Sequence, residues 1–429
     1  MLRVDRAEVV WTGVDELRGA AIDCREGVVA AIGPASEKWT GDVLDASGCV
    51  VIPGLVNAHH HLLQSAFRTH PDARHVPMAQ WLAAMRAQYA AVGIDGELAG
   101  AAAAVGVAES LLCGVTTLAD HHLNWPTDLP TCIEVAESTI SAATALGARI
   151  VFVRGTAADD PERAVATVEH LHAHIDHPLV QLAVGPSGVH ADARDTFAAL
   201  GDVATRLGLR RRTQANEQVD VAIALERYGR RPLDLLDEWG WLAPDVTIAH
   251  CCDVTRDEIE LLAARGVTAT HAPGCDLPQG WGVAPVGALL DAGVVVGLGT
   301  SGGGSNDAGH LLADARLAMQ VAPLAGRALT AREALGLATS GSARGLGRED
   351  LGRLFAGGAA DLCCYDVSGV LDAGVADPLA GLVWAAPGRR PRHVVVAGQV
   401  VVRDGHLVSG DETEVAGRLR ALLAARLAP

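Results

Sequence analysis

Pro53-Gly54-Leu55-Val56-Asn57-Ala58-His59-His60-His61 is the stretch that decides the fold. A Pro-Gly break is followed by an extended apolar segment that ends in three histidines. Residues i and i+2 of an extended segment share a face, so His59 and His61 can present two imidazoles to one metal ion. Polar residues simply terminating a strand are the alternative.

Outward from this segment the chain alternates. Apolar strands ending in polar or glycine turns precede Ala/Leu/Arg/Glu-rich helical stretches, the pattern of parallel βα units. Strands are expected at Val50–Val56, Val115–Asp120, Ile150–Arg154, Leu182–Gly185, Leu209–Gln214, Thr247–His250, Val267–His271 and Val294–Gly299. Such a series predicts an α/β fold, a (β/α)8 TIM barrel over 53–354, whose chemistry sits at the C-terminal strand ends. Polar residues do gather there: His59-His60-His61, Asp120-His121-His122, Arg154, His190, Gln214 to Glu217, His250, His271 and Ser301 to Asp307.

Both ends of the chain are β-rich instead. Val9-Val10-Trp11, Ala20-Ala21-Ile22 and Val28 to Ile32 lie before the barrel. Asp361 to Tyr365, Val394-Val395-Val396 and Val400-Val401-Val402 lie after it, with turns at Ala397-Gly398 and Asp404-Gly405. Residues 1–52 and 355–429 are therefore expected to build one small β-sandwich domain together. A length of 429 residues suits one large and one smaller domain, and 49% hydrophobic residues suffice for a large core.

Composition narrows the function. A net charge of −17 argues against a nucleic-acid surface, which needs basic patches. Lys38 is the only lysine, so a P-loop lysine, a pyridoxal-binding lysine or a carbamylated bridging lysine is excluded everywhere else. The last exclusion leaves at most one metal. No basic–apolar–small leader is visible, and no apolar run reaches the roughly 18 residues that span a bilayer. Cys251-Cys252 and Cys363-Cys364 are adjacent, which suits reduced core thiols better than disulfides. A cytoplasmic protein with no membrane contact is the expectation.

The chain resembles the amidohydrolase superfamily, specifically its cytosine/guanine deaminase and triazine-hydrolase branch (8-oxoguanine deaminase-like). The resemblance rests on Pro53–His61, Leu112-Cys113-Gly114-Val115-Thr116-Thr117, Ile248-Ala249-His250-Cys251, Gly282-Val283-Ala284-Pro285-Val286, Gly297-Leu298-Gly299 and Gly358-Ala359-Ala360-Asp361-Leu362. It implies a barrel inserted in a sandwich made from both termini, and commonly an oligomer. It further implies one divalent metal, zinc or iron, held by the His-x-His pair, a strand-5 histidine and a strand-8 aspartate. The chemistry this likeness implies is attack of metal-bound water on a ring carbon of a small nitrogen heterocycle of purine, pyrimidine or triazine type. On this likeness His59 and His61 match metal ligands, Glu217 the proton shuttle and His250 the histidine that orients the water.

Two ligand positions depart from the pattern. The strand-5 signature stands as Gln214-Ala215-Asn216-Glu217, and Ser301 takes the place of the strand-8 aspartate. An amide and a hydroxyl are poor ligands for a divalent ion. Asp307, six residues further on, is the other candidate for that aspartate. Strand 5 also places Arg210, Arg212 and Gln214 on one face, so Arg212 is expected to point inward below Gln214 and to pair with an acid such as Asp120.

The expected pocket comprises His121, His122, Arg154, His190, Gln214, His271 and Ser301, with Glu217 and His250 as catalytic acid and base. Trp125 and Trp281 lie in mouth loops where they could stack on a flat ring. His170, His172, His174 and His177 belong to a helical stretch and read as a solvated face. Gly302-Gly303-Gly304 lacks the lysine of a phosphate loop. Three functions compete: hydrolysis at a depleted metal site, metal-free elimination, cyclisation, isomerisation or condensation by Glu217 and His250, and a non-catalytic binding protein.

Overall fold

In a computed structural model, residues 1–35, 39–385 and 388–428 are described; Lys38 lies outside them. Eight parallel strands form the barrel: β1 (Leu55–His61), β2 (Val115–His122), β3 (Arg149–Thr156), β4 (Val180–Pro186), β5 (Arg210–Ala215), β6 (Val246–His250), β7 (Thr268–His271) and β8. The last is bent into two pieces. Val296–Leu298 pairs with β7, and Ser301–Gly302 pairs with β1, which closes the ring.

The first strand differs from its expected span. Val50 to Val56 divides at Gly54: Cys49–Pro53 belongs to another sheet, and β1 begins at Leu55. The division demands glycine, because a Cβ at Gly54 would stand 2.3 Å from Thr116 Oγ1.

Strands buried on both sides carry continuous apolar runs, as in β3, which is buried throughout. Inside the barrel, Val56, Ala58, Ala119, Val151, Val153 and Ala183 pack against Ala343 and Leu346 from the segment after β8. In that interior β5 supplies Arg212 instead, 3% exposed. Helix boundaries follow local chemistry: Thr255 and Glu258 make a capping box before Arg256–Arg265, and left-handed Gly266 ends that helix.

Strands from both ends of the chain share one seven-stranded sheet. Its order runs His406–Leu407, Gln399–Arg403, His393–Val396, Leu362–Asp366, Cys49–Pro53, Val9–Trp11, Glu16–Leu17. A four-stranded sheet of Leu2–Asp5, Ala21–Arg25, Val28–Gly33 and Asp42–Asp45 packs on it through Val4, Ile22, Val51, Leu362 and Val395. Helix Glu412–Arg426 follows and lies against helix Gly96–Leu112, fixed by Arg426 to Asp95 at 2.7 Å. Leu419 on this helix joins a cluster with Trp81, Met85 and Trp281 over the barrel mouth. No helix of the described residues is long and apolar enough to cross a membrane.

Candidate active site

A cavity of about 430 Å³ opens at the C-terminal ends of the strands. His61, Gln214, Glu217, His250 and Ser301 form its floor, beneath Trp81, Met85, Tyr89 and Trp281. Trp81 and Trp281 meet edge to face with ring centroids 5.3 Å apart.

The strongest polar chain in the cavity comes from β5, β6 and the helix after β7. His250 Nδ1 stands 2.8 Å from Asp276 Oδ1. Its Nε2 stands 3.0 Å from Glu217 Oε1 and 3.1 Å from Gln214 Oε1. All three carboxylate and imidazole groups are almost fully buried. Burial alone would lower the His250 titration, but Glu217 and Asp276 outweigh it and raise it to about 9. Burial pushes Glu217 up to about 7, against the opposing pull of His250. An ionised imidazolium between two acids, one of them titrating near neutrality, is an acid/base pair with an orienting partner.

Backbone strain holds this chain in place. Asn216 after β5, His250 and Cys251 at the end of β6, and Ser301 in β8 all have left-handed φ, between 55 and 74°. Non-glycine residues keep such angles only where surrounding contacts enforce them. For Asn216 those contacts are its N–H to Asp220 at 2.7 Å and its amide to Asp253 O and Glu258. Glu217 is thereby delivered at the N-terminus of helix Gln218–Tyr228.

His59 and His61 meet edge to face, with ring centroids 4.7 Å apart. His61 Nδ1 donates to the His121 carbonyl at 2.7 Å. His59 Nδ1 lies 3.3 Å from Arg212 Nη2, and His59 is fully buried behind His61 and His250 rather than on the cavity wall. Burial keeps both rings neutral, lowering His59 far below the usual histidine range and His61 to about 4. His60 faces the other way and ties β1 to β8 through Ser301 O at 2.5 Å.

Other expected residues divide. His190, Gln214 and Ser301 line the cavity, and burial lowers His190 to about 4. His121, His122, Arg154 and His271 are not among the described lining residues, which corrects their expected place. His121 Nε2 is spent on Gly185 O at 2.7 Å. His122 is held by Asn124 O at 3.1 Å and packs on Trp125. Arg154 lies buried beneath Trp125, 3.8 Å from the ring centroid, and pairs with Asp159. His271 is buried beside the site, where Asp276 and His250 are its charged neighbours.

Arg212 points inward as expected but forms no ion pair with Asp120 among the described residues. It donates to Ala58 O, and Asp120 accepts from the Leu62 N–H at 2.8 Å. Burial first, and Arg210 second, lower the Arg212 guanidinium to about 9. Asp307 does not reach the site: it caps Thr69 N–H and pairs with Arg74, so Ser301 is the residue at the β8 end. Asp276 was not singled out by the sequence; its only signal is an acid within an apolar turn five residues after His271. Tyr89, Met85 and Trp81 gave none, because their helix lies outside the strand-end pattern.

Residues 50–401 match the profile of the Amidohydrolase family. The chain belongs to the amidohydrolase family. Among its relatives is the 8-oxoguanine deaminase of Pseudomonas aeruginosa, 34% identical over 405 residues that cover 90% of this chain and 89% of that one. A triazine hydrolase variant superposes with a TM-score of 0.94 at 34% identity, covering 98% of this amidohydrolase and 99% of the variant. Atrazine chlorohydrolase TrzN from Arthrobacter aurescens TC1, solved with zinc, gives 0.93 at 34% identity over 99% and 100%. These relatives make the present amidohydrolase an enzyme with a (β/α)8 barrel, and the zinc in such neighbours supports a divalent ion as the group this mouth holds in the family.

The side chains of this amidohydrolase do not fit that ion. Gln214 donates its amide to Ser187 O at 3.2 Å and turns its oxygen to His250, and Ser301 Oγ lies 3.5 Å from Ser305 Oγ. Among the described residues no carboxylate oxygen joins His59 and His61 in a group of metal-ligating atoms. Among the described residues His250, Cys275 and Asp276 bring ligand atoms within 4.8 Å of one another. There His250 Nδ1 and Asp276 Oδ1 already pair, and burial pushes the Cys275 thiol well up, so it stays protonated.

Proposed function

We propose that this amidohydrolase breaks a C–N bond of a small nitrogen heterocycle of purine, pyrimidine or triazine type, with Glu217 and His250 as acid and base. The observation that carries this is the continuous Asp276–His250–Glu217 chain against the cavity floor. In the hydrolytic form Glu217 takes a proton from water as its oxygen bonds the ring carbon. His250 gives its Nε2 proton to the departing nitrogen, and that nitrogen leaves as the C–N bond breaks. Asp276 holds the imidazole and stabilises its charge. The cavity volume suits one flat heterocycle, and the Trp81–Trp281 pair offers it a face.

A second reading is favoured by the substituted ligand positions Gln214 and Ser301: a non-hydrolytic elimination, cyclisation, isomerisation or condensation that uses the same pair without an activated water. Turnover of aminated purines, pyrimidines and triazines in heavy-oxygen water separates the two. Labelled oxygen in the product with stoichiometric ammonia supports hydrolysis. Unlabelled product supports the second reading, and no turnover across all three ring classes overturns the first.

The same reading places the protein in the cytoplasm as a homo-oligomer without nucleic-acid partners, divided into 1–52 with 355–429 and 53–354. Free thiols at all nine cysteines support a reducing compartment.

A further inference from the structure

Arg212 stands inside the barrel one layer below Gln214, and its Nη2 is 3.3 Å from His59 Nδ1. A guanidinium offers hydrogen-bond donors and no acceptor. His59 Nδ1 is therefore the accepting nitrogen, and the neutral ring carries its single proton on Nε2. A nitrogen that bears hydrogen has no lone pair for a metal. The doubly protonated ring offers no escape, since it bears hydrogen at both positions. His59 Nε2 is buried and has no hydrogen-bond partner among the described residues.

His61 makes the contrast within one strand. Its Nδ1 donates to the His121 carbonyl at 2.7 Å, which leaves Nε2 with its lone pair. A metal-ligating histidine is normally held in this way, by an acceptor behind it. Of the two imidazoles in the motif, one is set to ligate and the other is set against it. The guanidinium also adds a positive charge to the wall where a divalent ion would need negative ones.

We propose that Arg212 is a metal-excluding positioning residue. By fixing the His59 tautomer it makes three side chains (Gln214, Ser301 and Arg212) separate this mouth from a zinc site, where the sequence motif alone indicates two. The inference goes beyond the heterocycle reading and stands whichever ring is turned over.

The test restores the two ligands and then varies Arg212. Zinc affinity, measured by competition with a chromophoric chelator, is compared between Gln214→His/Ser301→Asp and Gln214→His/Ser301→Asp/Arg212→Gln. A glutamine oxygen can accept from His59 Nδ1–H, so the triple variant should bind one zinc per chain at least about tenfold tighter, the usual worth of a ligand's supporting hydrogen bond. Equal affinity overturns the proposal, because a residue that merely packs would leave zinc binding unmoved. A readout on the unaltered protein covers the case of a misfolded variant. Nitrogen shifts of isotope-labelled histidine, with His59 assigned by His59→Gln, should report the Nε2–H form. A Nδ1–H form, or one zinc per wild-type chain that His59→Ala loses, overturns it.

Discussion

The two walls of the barrel mouth carry the same residue type at the same burial and hold it in opposite charge states. On the β1 wall, burial lowers the titrations of His59 and His61, His61 to about 4, and Arg212 adds to the effect at His59. On the β6 wall, His250 lies between Glu217 and Asp276, and its titration rises to about 9. Desolvation penalises all three imidazolium forms and prevails at His59 and His61, whereas at His250 the two acids overcome it. Beside the β1 wall, β5 and β8 offer the amide of Gln214 and the hydroxyl of Ser301 where a carboxylate and an imidazole would suit a cation. The β6 wall has kept its proton-handling groups and supplies its own positive charge.

The sharpest way to break this comparison is Glu217→Gln. It should lower kcat by about 10³-fold with an unchanged thermal midpoint, since general acid/base groups contribute about 10²–10⁴-fold; steady-state kinetics and calorimetry check it. Asp276→Asn should come next, at about 10–100-fold in kcat, because the imidazole loses its anchor and its charge support. Rate against pH sharpens the contrast further. Activity should rise as Glu217 ionises through about 7 and fall as His250 loses its proton through about 9, and Asp276→Asn should move the upper limb to lower pH.

Folding stability has a sign of its own. His250 is raised from 6.5 to about 9, so its contribution is fully present below 6.5 and is lost as pH climbs through 9. Glu217, raised from 4.5 to about 7, acts in the same direction. The thermal midpoint should therefore decline from pH 6.5 to pH 9, and a rise over that window would contradict the charged His250. The smallest effect belongs to the outer histidine tract. His172→Ala on the exposed face of helix Pro161–His174 should change stability by less than about 0.5 kcal/mol and leave kcat unaltered.

Much of the architecture was legible because it is written in periodicity. All eight expected barrel strands overlap the observed ones, the first only at Leu55 and Val56, since buried parallel strands need unbroken apolar runs. The first was misplaced because Val50 to Val56 reads as one run, and only the close approach of Thr116 to Gly54 shows where it divides. Residues on strands or directly after them were easy to nominate, as with Gln214, Glu217, His250 and Ser301. Their direction was harder to read. His121 and His122 occupy the right height on β2, yet each turns to a carbonyl, at Gly185 and Asn124, instead of the cavity. Arg212 was legible as an inward cation, but its partner depended on contacts between β1 and β5 that no local pattern encodes. Asp276 lies in the short helix Pro273–Gln279, whose placement only tertiary packing fixes.

The helix at Glu412–Arg426 has a consequence for how the enzyme is made. Leu419 packs in the same cluster as Trp81, Met85 and Trp281, so the roof of the cavity is backed by an element synthesised after every barrel strand. The sheet shared by the two ends imposes the same order, because Cys49–Pro53 waits for Leu362–Asp366 as its partner. A nascent chain that has released all eight barrel strands from the ribosome still lacks the helix that packs against the roof of its own pocket. Maturation of the binding site thus waits for this late helix rather than for completion of the barrel alone.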